Sequence, residues 1–389
     1  MTRILILIKG LGRGGAEQLL VNAAPYLDTE RFRYEFAYLL PWKNALVVDL
    51  ERAGFEVSCL HGARGLGWLK RLRRLVAEHD IDIIHAHLPY TAIGARIAFW
   101  RDHGVKIVYT EHNMWSRYKT LTSWANAFTF SRNDHVFAVS NEVRGSVRYP
   151  SLLARRPLPP LETLYHGPDP EAIMRWAGED GVRQELGIPG DAPVVGTVAN
   201  LKAHKGHDYL LQAAVRVKES VPDARFVCVG LGPLEDELRR RSLQLGLEKT
   251  VIFTGFRADA PRLMKAFDIF ALPSIHEGLP IALVEAMMLG KPAVVTRAGG
   301  TPEVVEDGQQ GYLVASRDPN ALAGRIVELL EDKSLRMRMG AAARVRAADF
   351  DIRKSVERME TLYDRLHRTA GAGGSQSTAP SRPEEREAG

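Results

Sequence analysis

Asp268-Ile269-Phe270-Ala271-Leu272-Pro273-Ser274-Ile275-His276-Glu277-Gly278-Leu279-Pro280-Ile281-Ala282-Leu283-Val284-Glu285-Ala286-Met287 reads as a strand, a loop and a helix in direct succession. The apolar run from Asp268 stops at Pro273, and Pro280 suits the first turn of the helix that follows. Glu277 falls in the loop and Glu285 one to two turns inside the helix. In a parallel sheet such loops open at the carboxyl ends of the strands, where ligands bind. Two carboxylates placed there at different heights suit a polyhydroxyl compound, because ionised carboxylates accept hydrogen bonds. The plainer alternative is an exposed loop glutamate and a solvated helical one.

The same pattern extends in both directions. Strand-like runs at Ile4–Ile8, Tyr34–Leu40, Val57–Leu60, Ile81–Ile84, Ile107–Thr110 and His135–Val139 alternate with helical segments, among them Glu17–Tyr26 and Trp68–His79. The series then starts over at Val194–Val198, Arg225–Val229, Val251–Phe253, Ile269–Leu272, Ala293–Thr296 and Gly311–Val314. A chain of 389 residues is too long for one ordinary core. The reading is α/β, with two doubly wound domains in tandem at 1–168 and 169–348. Ala154–Pro160 is rich in proline and arginine, Glu162–Tyr165 adds a last strand, and the hinge falls near Gly167–Ala172. Residues 349–368 form a final helical segment, and 369–389 read as a disordered tail, being Gly, Ser, Pro and Glu with almost nothing apolar.

Hydrophobic residues make up 45% and charged residues 25%, the balance of a soluble globular protein. No apolar run reaches the roughly 18 residues that span a bilayer, and no signal peptide is apparent. Cys59 and Cys228 sit in strand-like segments of different halves, which points to buried thiols in a reducing, cytoplasmic compartment. Residues 1–170 carry a net charge of roughly +6, and the remainder is slightly acidic. One half therefore meets an anionic partner. Without a zinc finger, an aromatic RNP-type strand or a long basic arm, that partner is not nucleic acid but a membrane surface or a phosphorylated substrate.

Gly10-Leu11-Gly12-Arg13-Gly14-Gly15 follows the first strand and opens a helix. A nicotinamide enzyme would also need an acid at the end of the second strand, and that strand ends in Leu39-Leu40-Pro41. Glycines at a helix N-terminus still hold a phosphate through backbone N–H groups; a structural turn is the alternative. His85, His87 and His112 close two successive strands, but no third ligand of metal-site spacing accompanies His85 and His87. Val198-Ala199-Asn200-Leu201-Lys202-Ala203-His204-Lys205-Gly206 follows the first strand of the second series, and Gly299-Gly300-Thr301-Pro302-Glu303 makes a turn before a helix. Trp68-Leu69-Lys70-Arg71-Leu72-Arg73-Arg74-Leu75-Val76 is amphipathic at helical spacing. It is either a helix packed on the sheet with a solvated basic face or a docking element for anionic lipid, which Trp115, Arg117, Tyr118, Lys119, Trp124, Phe128 and Phe130 would extend. Those aromatic residues equally suit an acceptor pocket.

From about Met1 to Leu366 the chain resembles glycosyltransferase family 4, retaining enzymes with a GT-B fold. The Glu-x7-Glu signature of that family matches Glu277 and Glu285, and its Gly-Gly-x-Glu start matches Gly14, Gly15 and Glu17. The resemblance implies two Rossmann-like domains facing a central cleft, the first holding the acceptor and the second a nucleoside-diphosphate sugar, with the final helix crossing back to the first. It implies that Glu285 holds the ribose, Glu277 with Gly278 and Leu279 orients the sugar, and His112 assists catalysis beside it. Gly14, Gly15 and Lys205 would meet the diphosphate, and Phe256 and Arg257 the base. The family has an arginine where this chain has Asn200, so Lys205, with Lys202, must supply most of the positive charge. Asp80-Ile81-Asp82 and Asp349-Phe350-Asp351 resemble metal-holding strings of the other major glycosyltransferase fold, but one opens a strand and the other a helix.

The expectation is a hexosyltransferase without metal or cofactor. Its acceptor would be a lipid-linked or cell-surface glycan precursor, and its place the cytoplasm, with peripheral contact at the inner face of the cell membrane. The alternatives are a nucleotide-sugar epimerase on the same fold and a non-catalytic nucleotide-sugar binder.

Overall fold

Ile4 to Ile8 are apolar on both faces of their strand, and all are buried, the mark of a parallel strand covered on two sides. The structure, a computed structural model, describes residues 1–61, 65–102, 104–148, 157–178 and 181–372. In chain order the strands of the first half are β1 (Thr2–Ile8), β2 (Phe32–Tyr38), β3 (Glu56–Cys59), β4 (Ile83–His87), β5 (Lys106–Glu111), β6 (His135–Ala138) and β7 (Leu161–Thr163). They form one parallel sheet in the order β3-β2-β1-β4-β5-β6-β7. The second half contributes β8 (Val194–Val198), β9 (Arg225–Val229), β10 (Val251–Gly255), β11 (Ile269–Leu272), β12 (Ala293–Thr296) and β13 (Gly311–Val314), ordered β10-β9-β8-β11-β12-β13 and again parallel. Both sheets are doubly wound, as the alternating sequence predicts.

Strand order reverses between β1 and β4 in the first sheet and between β8 and β11 in the second. At such switch points the loops leaving the two strands diverge and open a crevice. The glycine loop leaves β1, and His87 ends β4. Lys205 follows β8, and Glu277 follows β11.

The fourth strand sits later than the sequence predicts. His85, Ala86 and His87 are buried and pair with Val108, Tyr109 and Thr110 of β5, so the two histidines are interior strand residues beyond the apolar run. Ile81 instead packs beneath the helix Trp68–Glu78. The first helix, Gly15–Ala23, ends early because Pro25 lacks an N–H, and it continues only as the short turn Ala24–Tyr26.

The terminal helix, Ile352–Ala372, lies on the first sheet. Its Ile352, Val356, Met359, Leu362 and Tyr363 join a core with Ile4, Ile6, Ile8 and Leu20. Glu360 accepts the Asp28 N–H and the Tyr34 hydroxyl, each at 2.8 Å. The opposite face of this sheet is covered by the helices Trp68–Glu78, Pro89–Ala98 and Thr120–Thr129. The terminal helix runs to Ala372, into the stretch expected to be disordered; the rest of that tail lies outside the described residues.

Candidate active site

The centre of the site is made by two loops that touch. Gly206 takes a left-handed φ of +69°, and a Cβ there would lie 2.0 Å from the Pro273 carbonyl oxygen, so only glycine admits the approach. The Ile275 N–H donates to the His204 carbonyl at 2.8 Å. Lys205 is thereby carried to Glu277, and its Nζ donates to both carboxylate oxygens at 2.7 and 2.8 Å. The Ser274 hydroxyl donates to Glu277 Oε1 at 2.5 Å, while the Ser274 carbonyl accepts from Thr296. Glu277 is buried and fully partnered, an arrangement that offsets the desolvation of its charge.

Glu285 is in the opposite condition. It lies on the second turn of the helix Ile281–Met288, half-buried, and its carboxyl has no hydrogen-bond partner among the described residues. Burial pushes its carboxyl up to about 7.

The first sheet closes on these loops. A Cβ on Gly278 would lie 2.5 Å from the His112 carbonyl oxygen, and Leu279 packs against Ala138, Val139 and Val143. Glu303 accepts the Asn141 and Glu142 N–H groups at 2.7 and 2.9 Å and the Tyr165 hydroxyl at 2.8 Å, which ties the halves together beside the cleft.

His112 is buried, and its Nε2 shares a hydrogen bond of 3.0 Å with His87 Nδ1. Its ring stacks on His166 with centroids 6.4 Å apart. His85 bonds Tyr363 and Thr110. Burial holds all four imidazoles below the ordinary histidine range, and for His112 the neighbouring His87 and His166 add to it. The cluster is therefore neutral at physiological pH.

Asn200 is exposed on the loop after β8, and cations of both halves lie about this part of the cleft. Burial raises the Glu17 carboxyl, opposed by Lys43 and by Lys202 from across the cleft. Burial pushes His204 down to about 4, and Arg117 and Lys205 push in the same direction. The Arg13 guanidinium lies 3.9 Å over the Phe256 ring, so the loop of Gly14 and Gly15 reaches the loop after β10. Arg257 is engaged by Asp259 at 2.7 and 2.6 Å and by Glu185 at 2.5 Å. Its side chain holds that loop in place and leaves Phe256 as the exposed ring.

Three residues expected on an acceptor or membrane surface are interior: Phe130 is 2% exposed, and the other two are tryptophans. Trp68 is 4% and Trp115 3% exposed. Trp68 fills the space above Gly94, where a Cβ would lie 2.0 Å from its ring, and Trp115 packs edge-on against Phe130. Lys70, Arg71 and Arg74 are exposed on the outer helix layer, and Arg73 donates to the Ala98 carbonyl at 2.6 Å. Sequence reasoning missed Ser274, His166, Arg13 and Tyr363. Ser274, in the same loop as Glu277, and Arg13, within the glycine loop, carried a local signal; His166 and Tyr363 carried none.

Among the described residues one group has metal-ligand proximity: Glu35, Glu56 and His79. It lies between the middle of β2 and the first residue of β3, away from the carboxyl ends of the strands, and Arg33 approaches both carboxylates at 3.4 Å.

Comparison with known proteins agrees with this geometry. Residues 7–172 match the family described as Glycosyltransferase Family 4, and residues 179–346 match Glycosyl transferases group 1. The GDP-mannose-dependent alpha-(1-6)-phosphatidylinositol monomannoside mannosyltransferase of Mycobacterium tuberculosis is 30% identical over 371 residues, 88% of this chain and 93% of its own. The UDP-Gal:alpha-D-GlcNAc-diphosphoundecaprenol alpha-1,3-galactosyltransferase of Escherichia coli is 27% identical, covering 76% and 79%. Among solved structures, Anabaena Alr3699/HepE in complex with UDP and glucose superposes with a TM-score of 0.80 at 27% identity, over 94% of this chain and 100% of its own. The chain belongs to glycosyltransferase family 4, as an enzyme of the GT-B type that acts on nucleotide sugars.

Proposed function

We propose that the protein transfers a hexose from a UDP- or GDP-linked donor to a lipid-linked or cell-surface glycan precursor, with retention of anomeric configuration and without a metal ion. The observation that carries the reading is the Lys205–Glu277 pair held at one switch point, directly opposite His112. The printed names of the mannosyl- and galactosyltransferase relatives support the donor and acceptor classes.

Glu285 accepts the ribose hydroxyls, and the exposed Phe256 ring borders the base. Lys205 has three donors, two of them spent on Glu277, and turns the third to the diphosphate. The Gly14 N–H is held by the Gly12 carbonyl at 3.1 Å, so the amide of Gly15, with Lys202, Lys43, Arg13 and Arg117 around the cleft, takes the place of the arginine absent at Asn200. Glu277 orients the sugar hydroxyls, and neutral His112 contacts the sugar near its reacting carbon. The bond from the anomeric carbon to the diphosphate breaks with its electron pair on the phosphate oxygen, where these donors stabilise the charge. The acceptor hydroxyl forms the new bond, and its proton passes to the departing diphosphate. Closure of the two halves excludes water, which would otherwise hydrolyse the donor.

No helix among the described residues is long and apolar enough to cross a membrane. A lipid-linked acceptor then requires peripheral contact at the inner face of the membrane, to which the basic first half is suited. The test is a thermal-shift screen of UDP- and GDP-sugars, followed by transfer to lipid-linked acceptors and proton NMR of the new linkage. A product of inverted configuration would remove retention. A donor interconverted with no acceptor present would identify an epimerase.

A further inference from the structure

The helices Trp68–Glu78, Pro89–Ala98 and Thr120–Thr129, which cover the outer face of the first sheet, contain a single carboxylate, Glu78. Lys70, Arg71 and Arg74 are exposed on the first helix, Arg101 follows the second, and Lys119 precedes the third. None of these joins an ion pair among the described residues.

The helix Thr120–Thr129 has two unlike faces. Asn126, Ala127 and Thr129 are buried, whereas Leu121, Trp124 and Phe128 are 82%, 60% and 56% exposed. Their spacing of three and four residues sets them in one stripe. Trp100 stacks on Phe128 with centroids 5.8 Å apart and planes at 10°, and the exposed Ile97 lies one turn earlier on the neighbouring helix. Arg132 lies over the Trp100 ring at 4.0 Å. Single exposed apolar side chains are ordinary on proteins, but a contiguous stripe rimmed by cations marks an interaction site.

Charge selects the occupant. A layer with five exposed cations, against Glu78 in its helices and Asp102 beside Arg101, is net positive and complementary to an anionic surface, and the uncharged helix with its exposed Leu, Trp and Phe presents the apolar face that enters a bilayer interface. We infer that the helix Thr120–Thr129 docks the protein on an anionic bilayer, with Leu121, Trp124 and Phe128 entering the headgroup boundary and Lys70, Arg71, Arg74, Arg101 and Lys119 lying over the headgroups. This rests on the membrane-linked acceptor proposed above and specifies the element that touches lipid. The helix begins eight residues after His112, so docking sets the acceptor side of the cleft at the surface.

The experiment is flotation of the full chain with vesicles of phosphatidylcholine alone or with about 30% phosphatidylglycerol, at low and high salt. Wild type should float only with the anionic vesicles, and Trp emission should shift to the blue. The combined L121S, W124S and F128S variant should bind at least about tenfold more weakly, and R71A with R74A and K119A should lower binding and its salt dependence together. Unaltered donor-induced thermal shifts in both variants confirm their folding. Flotation of the triple serine variant at wild-type strength overturns docking by this helix while leaving membrane contact standing. Failure of wild type to float with anionic vesicles overturns both. A wild-type dimer that the serine substitutions convert to monomer assigns the stripe to a second copy of the chain and overturns the bilayer as its occupant.

Discussion

Replacing Glu285 by Gln should stabilise the fold and weaken donor binding in one step. Its carboxyl lies half-buried without a partner, and burial moves it from 4.5 to about 7. A folded value above the unfolded one means that the group favours folding fully only below about 4.5. That advantage is lost as pH rises, and the loss is complete once pH passes about 7. The separation of roughly 2.5 units corresponds to about 3 kcal/mol of stability withheld from the wild type at alkaline pH. Glutamine fills the same space and does not titrate. The stability difference between Glu285→Gln and wild type should therefore widen by about 2.5 kcal/mol between about pH 5 and about pH 8, read from urea unfolding followed by circular dichroism. Ribose hydroxyls donate to the ionised carboxylate, so wild-type affinity for UDP or GDP should rise about tenfold from about pH 6 to about pH 8. In the variant it should be weak and flat. Unfolding free energies that run parallel for the two proteins across this range would refute the reasoning, as would equal donor affinities.

His112→Ala should lower kcat by about tenfold to a hundredfold with little change in donor KM, because the contact is made at the reacting sugar. Since burial and its neighbours hold His112 neutral, the wild-type rate profile should show no inflection from it between about pH 6 and about pH 8. Trp68→Ala should cost about 3 to 5 kcal/mol in urea unfolding, as the loss of an interior ring above Gly94 requires, and should leave vesicle flotation of the folded protein unchanged. Glu303→Ala removes three hydrogen bonds between the halves and should open the cleft, measured as a larger radius of gyration in solution scattering and faster donor hydrolysis in the absence of acceptor.

What the sequence made legible is local. Runs such as Ile4–Ile8 and Ile269–Leu272 need only their own composition to be read as interior strands, and the order of strand and helix predicts two doubly wound sheets. The Glu277 to Glu285 spacing is likewise contained in one stretch. What stayed hidden depends on contacts between distant segments. Lys205 and Glu277 meet because two strands flank a switch point, and nothing in either segment shows the pairing. His166 joins the cluster at His112 from the link between the halves, and Tyr363 reaches His85 from the terminal helix. Burial of Trp68 and Trp115 was equally illegible, because a tryptophan beside a run of cations reads the same whether its ring lies in lipid or under a neighbouring helix. Trp124 and Phe128, which the sequence reading also set on that surface, are exposed there together with Leu121.

The central claim is that a nucleoside diphosphate sugar lies between Lys205 and the glycine loop, and calorimetric titration of UDP- and GDP-sugars into wild type and Lys205→Ala tests it most directly. In that variant Ser274 still holds Glu277, but the carboxylate faces the diphosphate unneutralised. The account predicts saturable binding of one donor to wild type and at least about hundredfold weaker binding to the variant. Equal affinity in the two proteins would contradict it.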